Sequence, residues 1–407
     1  MPRLWLINQF ANTPDLPGHT RQFEVAAGLV RAGWEVEVFA SDFNLTQRRY
    51  RRLRPPRLAA LEAIAGIRWH WLWVSPYRRN DWKRQLNMLS FCLHLLLRLL
   101  PAALLGRLTG RAPDRILASS PQLPAAFTCL WIARLCRIPF VLEVRDLWPQ
   151  VLIDQGGKRP SSPMVRLLAA MERQLYRHAR LVVVLARGAE AYVRQRGAQH
   201  TAWLPNGPDL ELFQPRPLPA DRADFTLLYA GAHGDANALE QVIEAARLLE
   251  AQQARVRFRL VGDGPEKQAL IQQAAGLASV VFEPPVPKAE MPDLMAEADA
   301  ILLSLRDVPL FRYGVSPNKL YDAYAIGRPV VSTVAGAINA EIEQHGVGVT
   351  AEPGNPQALA AAILRLARTS HPQRQAMAER AIDLARTVYS RQRINAAYNQ
   401  LLRQGLA

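Results

Sequence analysis

Short apolar runs alternate with amphipathic stretches through both halves of the chain. In the first half LWLIN (4–8) predicts a strand, and a turn-rich segment from Asn12 to Gly18 follows. Apolar spacing then predicts a helix over about 20–31, which Gly33 ends, and a strand over 36–40 completes a βαβ unit. Further strands are expected at 69–74, 115–118, 140–144 and 181–185, with a helix over 162–178 before the last. A second βαβ series opens at 225–229, passes a loop holding Gly231 and Gly234, and enters a helix over 239–251. It continues through strands at 257–261, 279–283, 300–304 and 329–332. Between the two series, residues 204–220 hold five of the 30 prolines and read as a linker. The pattern predicts an α/β chain of two Rossmann-like, doubly wound domains whose strand-to-helix loops face a shared central cleft, with ligands at the carboxyl ends of the strands. The expected domains are 1–205 and 206–385, with a C-terminal helix over 386–407 placed to pack back on the first.

Composition narrows this picture. The 407 residues are 49% apolar and 21% charged, a globular composition that excludes a disordered or fibrous chain. Cys92, Cys129 and Cys136 form no CxxC pair, which argues against a disulfide framework or structural zinc and fits a reducing cytoplasm. The N-terminus opens on a strand-like run, so no export signal is expected. Charge is unevenly spread. Residues 1–205 carry 30 Lys and Arg against 13 Asp and Glu, whereas residues 206–407 carry 20 against 22. All nine tryptophans also lie in the first half. Such a half suits an anionic, partly apolar surface: nucleic acid, or a membrane face with anionic lipid.

The sharpest local pattern is YGVSPNKLYDAYAIGRPVV (313–331). Pro317 suits the first turn of a helix, Ser316 its N-cap, and Gly327 with Pro329 its end. Free N–H groups at that start, together with Asn318 and Lys319, describe a phosphate site, and Asp322 one turn on is able to accept ribose hydroxyls. The same residues also describe an ordinary capped helix with a solvated Lys–Asp pair. In the first half, EVRDLWPQ (143–150) ends a strand in Trp-Pro, which predicts a loop over the cleft. There Asp146, with Glu143 as its rival, is able to accept or position a hydroxyl proton, and Arg145 with Asp146 equally describes a structural ion pair.

SPNKLYDAYAIGRPVV resembles the signature helix of the family 4 glycosyltransferases, which have the GT-B fold. GWEVEVFAS, LPNGPDLELF, LLYAGAHGDANALEQVIEAA, LVGDGPEKQAL, VPKAEMPDLMAEADAILL and GVGVTAEPGNPQALAAAI resemble further family segments in the same order. VRDLWPQ, YAGAHG and YGVSPNKLYDA are similar to the bacterial subgroup of N-acetyl-L-fucosamine transferases of O-antigen and capsule assembly. The resemblance implies a retaining, metal-independent transfer from a UDP-sugar to a polyprenyl-diphosphate-linked saccharide, with no cofactor beyond that substrate. It places Gly231, Gly234, Gly262, Val286, Ser316, Asn318, Lys319 and Asp322 at the donor, Gly18, His19 and Glu143 at the acceptor, and Asp146, Arg145 and Lys319 at the chemistry. No DxD or HExxH metal motif is present. Two departures stand out: the family's first glutamate falls on Gly314, and the Arg–Lys pair of many relatives is replaced by the loop Ala232-His233-Gly234-Asp235, with Arg312 the candidate substitute. The leading reading is an active enzyme, and the Gly314 departure suggests an inactive scaffold of the same fold as a further alternative.

Residues 48–84 hold 11 Lys and Arg, and a nearly apolar stretch, 86–105, follows. Arg98 near the centre of that stretch argues against a transmembrane span. An interfacial helix on an anionic leaflet is expected, the other reading being a core helix, and the alternation of Trp69, Trp71 and Trp73 also fits one face of a buried strand. With no nucleic-acid motif visible, the expected location is the cytoplasm, peripheral on the inner face of the plasma membrane.

Overall fold

The computed structural model describes residues 1–15, 20–45, 47–54, 56–79, 81–220 and 222–404. The chain divides into two compact units, Met1–Leu204 with Ile394–Ala407, and Pro205–Arg393. The return to the first unit thus begins at residue 394 rather than 386, because the predicted C-terminal helix is two helices, His371–Thr387 and Arg391–Arg403.

The first unit is built on strands β1 (Arg3–Ile7), β2 (Glu35–Ser41), the short pair β3 (Phe43–Asn44) and β4 (Arg49–Tyr50), β5 (Ala59–Ile64), β6 (Ile67–Leu72), β7 (Arg115–Ser119), β8 (Phe140–Val144), β9 (Leu181–Val184) and β10 (Thr201–Trp203). Its main sheet runs β10-β9-β8-β7-β1-β2-β6-β5, parallel except for β5 on β6. Runs such as LVVV in β9 and FVLEV in β8 are buried at every position, as strands covered on both faces require. Trp69 and Trp71 lie in this core, so their alternation marks the inner face of β6. The order reverses between β1 and β7, which makes their carboxyl ends the switch point.

Ile394, Tyr398 and Leu402 form one stripe of the last helix and join the same core as Leu4, Val38 and Val183. Trp34 Nε1 donates to Asn399 Oδ1 at 2.9 Å, which fixes that helix against the start of β2.

In the second unit β11 (Phe225–Ala230), β12 (Val256–Val261), β13 (Val280–Glu283), β14 (Ala300–Leu303), β15 (Val330–Ser332) and β16 (Gly348–Thr350) form a wholly parallel sheet, β13-β12-β11-β14-β15-β16. Its switch point lies between β11 and β14. The linker that precedes it is tied down by Arg328, which is 0% exposed. The Arg328 guanidinium donates to the carbonyls of Arg216 and Pro217 at 3.0 and 2.8 Å, and to Ala296 and Gly327 at 2.8 and 3.0 Å. Replacing Arg328 by leucine strands those carbonyls in the interior, and the second unit is expected to lose about 2–3 kcal/mol, read as a lower denaturation midpoint.

Candidate functional site

In the second unit the loops after β11 and β12 press together. A Cβ on Gly262 would stand 1.9 Å from the Gly231 carbonyl oxygen, so only glycine permits this approach. His233 between them is fully buried. Its backbone N–H donates to Asp263 O at 2.9 Å and its carbonyl accepts from Glu266 N at 3.0 Å. The ring lies 5.9 Å from that of Tyr229 and 6.0 Å from that of Phe282, while among the described residues both ring nitrogens lack a hydrogen-bond partner. Burial, reinforced by Lys267 and Lys319, keeps the imidazole below its ordinary pKa.

Lys319 completes this cluster at the switch point. Its Nζ sits 4.0 Å from the centre of the Tyr229 ring, and a Cβ built on Gly231 would lie 3.0 Å from it. Among the described residues no carboxylate pairs with this group, and burial drives its pKa down to about 7. An ammonium that is seated on an aromatic face, uncompensated, and next to the first amides of a helix is an anion site.

That helix is Asn318–Ile326, and Pro317 rather than Ser316 occupies its N-cap. Ser316 is drawn away: its hydroxyl accepts from Asn206 N at 2.9 Å and shares a 2.9 Å hydrogen bond with Tyr321 OH. Asn206 Nδ2 also donates to Ser316 O at 2.8 Å. Ser316 therefore anchors the linker, a correction to its expected place at the donor. Asn318 remains exposed at the first turn and Asp322 half-buried one turn on. Gly234 and Val286 lie in the loops after β11 and β13, on the same carboxyl edge of the sheet.

Arg312 does not supply the missing basic pair, because Asp307 holds it at 3.0 Å. Arg306 at the end of β14 is likewise engaged, by Asp235 at 2.7 Å and Glu240 at 2.9 Å. Lys267 turns inward from the start of its helix and donates to the carbonyls of Gly262 and Glu283 at 2.6 and 2.9 Å. Gly314, where the resemblance puts the family's first glutamate, has φ +93°, a left-handed backbone that glutamate resists.

In the first unit Glu143 is 2% exposed and fully engaged. Its carboxylate accepts from Arg21 Nε at 2.9 Å, Gln22 Nε2 at 3.0 Å, Ser119 Oγ at 2.8 Å and the Tyr398 hydroxyl. Burial acts to raise this carboxyl, but Arg21, Arg145 and the two hydroxyls outweigh it and hold it at about 2. Glu143 is thus the centre of a buried network joining β8, β7 and the last helix, which corrects its expected contact with an acceptor.

Arg145 and Asp146 do not form an ion pair among the described residues. The Arg145 guanidinium donates to Gln22 Oε1 at 3.2 Å, and its N–H to Ser120 Oγ at 2.9 Å. Asp146 is left exposed at the carboxyl end of β8. Gly18 and His19 lie outside the described residues.

Sequence reasoning missed an amide group at the first switch point. Asn8 and Gln9 follow β1, Gln122 follows β7, and each is 2% exposed. Among the described residues Asn8 Nδ2, Gln9 Oε1 and both ends of the Gln122 amide lack partners. The signal available was an NQ pair directly after an apolar strand. Among the described residues no three His, Cys, Asp or Glu side chains gather as a metal set.

Comparison with known proteins places this geometry. Residues 18–207 match the family model described as glycosyl transferase 4-like domain, and residues 224–369 match glycosyl transferases group 1. The chain is 27% identical over 276 residues to a probable glycosyltransferase, WbjE, of Pseudomonas aeruginosa, covering 63% of this chain and 64% of that one. It is 30% identical over 201 residues to the putative colanic acid biosynthesis glycosyltransferase WcaL of Salmonella typhimurium, covering 48% and 49%. The matched stretches thus span just under two thirds and about half of these relatives.

Among solved structures, HepE of Anabaena in complex with UDP superposes with a TM-score of 0.69 at 19% identity, over 99% of this chain and 100% of that one. Sucrose-phosphate synthase of Thermosynechococcus elongatus gives 0.70 at 17%, over 99% of both. These likenesses show the GT-B fold. With the two family models taking in more than four fifths of the chain, in order and one per unit, the chain belongs to the group 1, family 4-like glycosyltransferases.

Proposed function

We propose that the protein is a retaining, metal-independent glycosyltransferase that moves a sugar from a UDP-sugar to a polyprenyl-diphosphate-linked saccharide, peripheral on the cytoplasmic face of the plasma membrane. The observation that carries the reading is Lys319: a half-buried amine with no carboxylate partner among the described residues, on Tyr229 and beside Gly231, at the carboxyl edge of the sheet. The UDP complex of HepE supports a uridine nucleotide as ligand, and the naming of WbjE as a probable glycosyltransferase and of WcaL as a colanic acid biosynthesis glycosyltransferase supports sugar transfer. The donor sugar is an N-acetylated deoxyhexosamine such as N-acetyl-L-fucosamine, on the resemblance of VRDLWPQ, YAGAHG and YGVSPNKLYDA.

In this reaction the bond from the anomeric carbon to the diphosphate oxygen breaks. The charge that develops on the diphosphate meets Lys319 and the first amides of Asn318–Ile326. The acceptor hydroxyl oxygen bonds to the same face of that carbon, and its proton passes to the leaving phosphate. For positioning the hydroxyl, the first unit's candidate is Asp146, at the carboxyl end of β8.

A panel of nucleotide sugars followed by thermal stabilisation, then by release of UDP with and without a chelator, tests this. UDP-sugars are expected to raise the midpoint most, since a ligand of the folded state stabilises it. Turnover that vanishes with the chelator, or equal stabilisation by every nucleotide, removes the metal-independent or the UDP assignment respectively. Binding without turnover identifies an inactive scaffold.

A further inference from the structure

The helix Trp82–Thr109 is apolar on two opposite sides. Phe91, Leu95, Leu99 and Ala103 recur every four residues and are buried, with the helix packed beside Leu123–Leu135. Half a turn round, Leu86, Leu89, Leu93, Leu97, Leu104 and Leu108 repeat at helical spacing and stay exposed, Leu97 at 64% and Leu108 at 86%. A helix apolar all round is ordinarily covered all round, and this one is covered on one side. On the neighbouring helix Trp131 and Leu135 are also exposed, at 56% and 66%.

Charge says what covers the open side. From Trp82 to Leu142 the chain holds eight Lys and Arg and one acidic residue, Asp114. Lys83, Arg98, Arg107, Arg134 and Arg137 are all exposed. Apolar surface edged by cations, almost without anions, complements an anionic bilayer and not a protein surface of mixed charge. The helix has the length and composition to cross a membrane. Its 28 residues, about 42 Å, exceed a hydrocarbon core of about 30 Å. Its inner stripe is also fastened to the unit: Asn87, 1% exposed, accepts from Gln9 Nε2 and donates to Ser75 O, each at 2.6 Å.

We infer that Trp82–Thr109 is an in-plane docking helix. Its outer leucines enter the acyl boundary of an anionic leaflet while the flanking arginines and Lys83 meet phosphate headgroups. The inference rests on the membrane-side acceptor proposed above, but its test requires no sugar transfer.

The full chain and a Leu93→Glu, Leu97→Glu, Leu104→Glu variant are sedimented with phosphatidylcholine vesicles, with and without phosphatidylglycerol. The native chain is expected to bind the anionic vesicles, with Trp fluorescence shifting to the blue. The variant, altered only at exposed positions and checked for an unchanged melting midpoint, is expected to bind more than about a hundredfold more weakly. Equal binding by both proteins, or no preference for phosphatidylglycerol, overturns the inference. So does a dimer in light scattering that the variant abolishes, since a second copy would then cover the face. Loss of UDP-sugar stabilisation in both proteins refutes the transferase reading and leaves the vesicle result standing.

Discussion

Lys319→Met is expected to lower kcat/KM at least about tenfold, equivalent to about 1.4 kcal/mol of transition-state stabilisation, with the fold intact. Methionine retains contact with the Tyr229 ring, so the variant removes charge and little packing. Turnover equal to that of the native enzyme would end the assignment of the diphosphate to this site. The pH dependence is a second reading of the same group. Without ligand, burial holds Lys319 at about 7, and a diphosphate beside it raises that value. Above pH 7 binding must then take up a proton, so donor affinity falls by up to about tenfold per pH unit until the bound-state value is reached. Stability without donor moves the other way. The unfolded chain holds the Lys319 proton up to about 10.5, so folding penalises that proton between pH 7 and 10.5, and the penalty lessens as pH rises. Calorimetry with UDP across this range is expected to show proton uptake in the native protein and its loss in Lys319→Met.

Glu143→Ala is expected to destabilise the first unit by about 3–5 kcal/mol, since it leaves the buried Arg21 guanidinium without its counter-charge. Glu143→Gln keeps one acceptor oxygen and puts an amide NH2 where the other carboxylate oxygen stood, so it retains the acceptor for one of Ser119 and Tyr398 and is expected to cost less. Denaturant titration distinguishes the two. A contribution of Glu143 lost by acid follows from the same contacts. Its carboxyl is held at about 2 in the folded chain against an ordinary 4.5, so its stabilisation is complete above pH 4.5 and drains away as pH falls toward 2. An alanine variant as stable as the native protein would show that the network is not holding the unit.

Strands whose neighbours cover both faces declared themselves as apolar runs, and β1, β8, β9, β11 and β14 stand within a residue or two of where the pattern placed them. Of the three strands of three residues, β15 was read at 329–332, whereas β10 and β16 carried too few positions to show a period. Lys319 was legible because Ser316 to Asp322 form one continuous motif. Its aromatic seat was not, because Tyr229 lies in a different strand, 90 residues away. Glu143 misled for the same reason. A carboxylate at the end of a strand looks available until Arg21 and Tyr398 reach it from sequence separations of 122 and 255. Ser316 had every local property of an N-cap and was claimed instead by Asn206 from the linker. In each case what the pattern lacked was the partner, supplied by tertiary packing.

Because the chain leaves the first unit at Leu204 and re-enters it at Ile394, the second unit is a single uninterrupted insert whereas its host is sewn from two pieces. Gene segments that encode residues 205–393 are therefore exchangeable in one cut-and-paste step between relatives, while a graft of the host requires both of its ends, Tyr398 included, to travel together. Chimeras spliced at these two junctions offer a direct route to exchanging the inserted unit while leaving the sheet of its host intact.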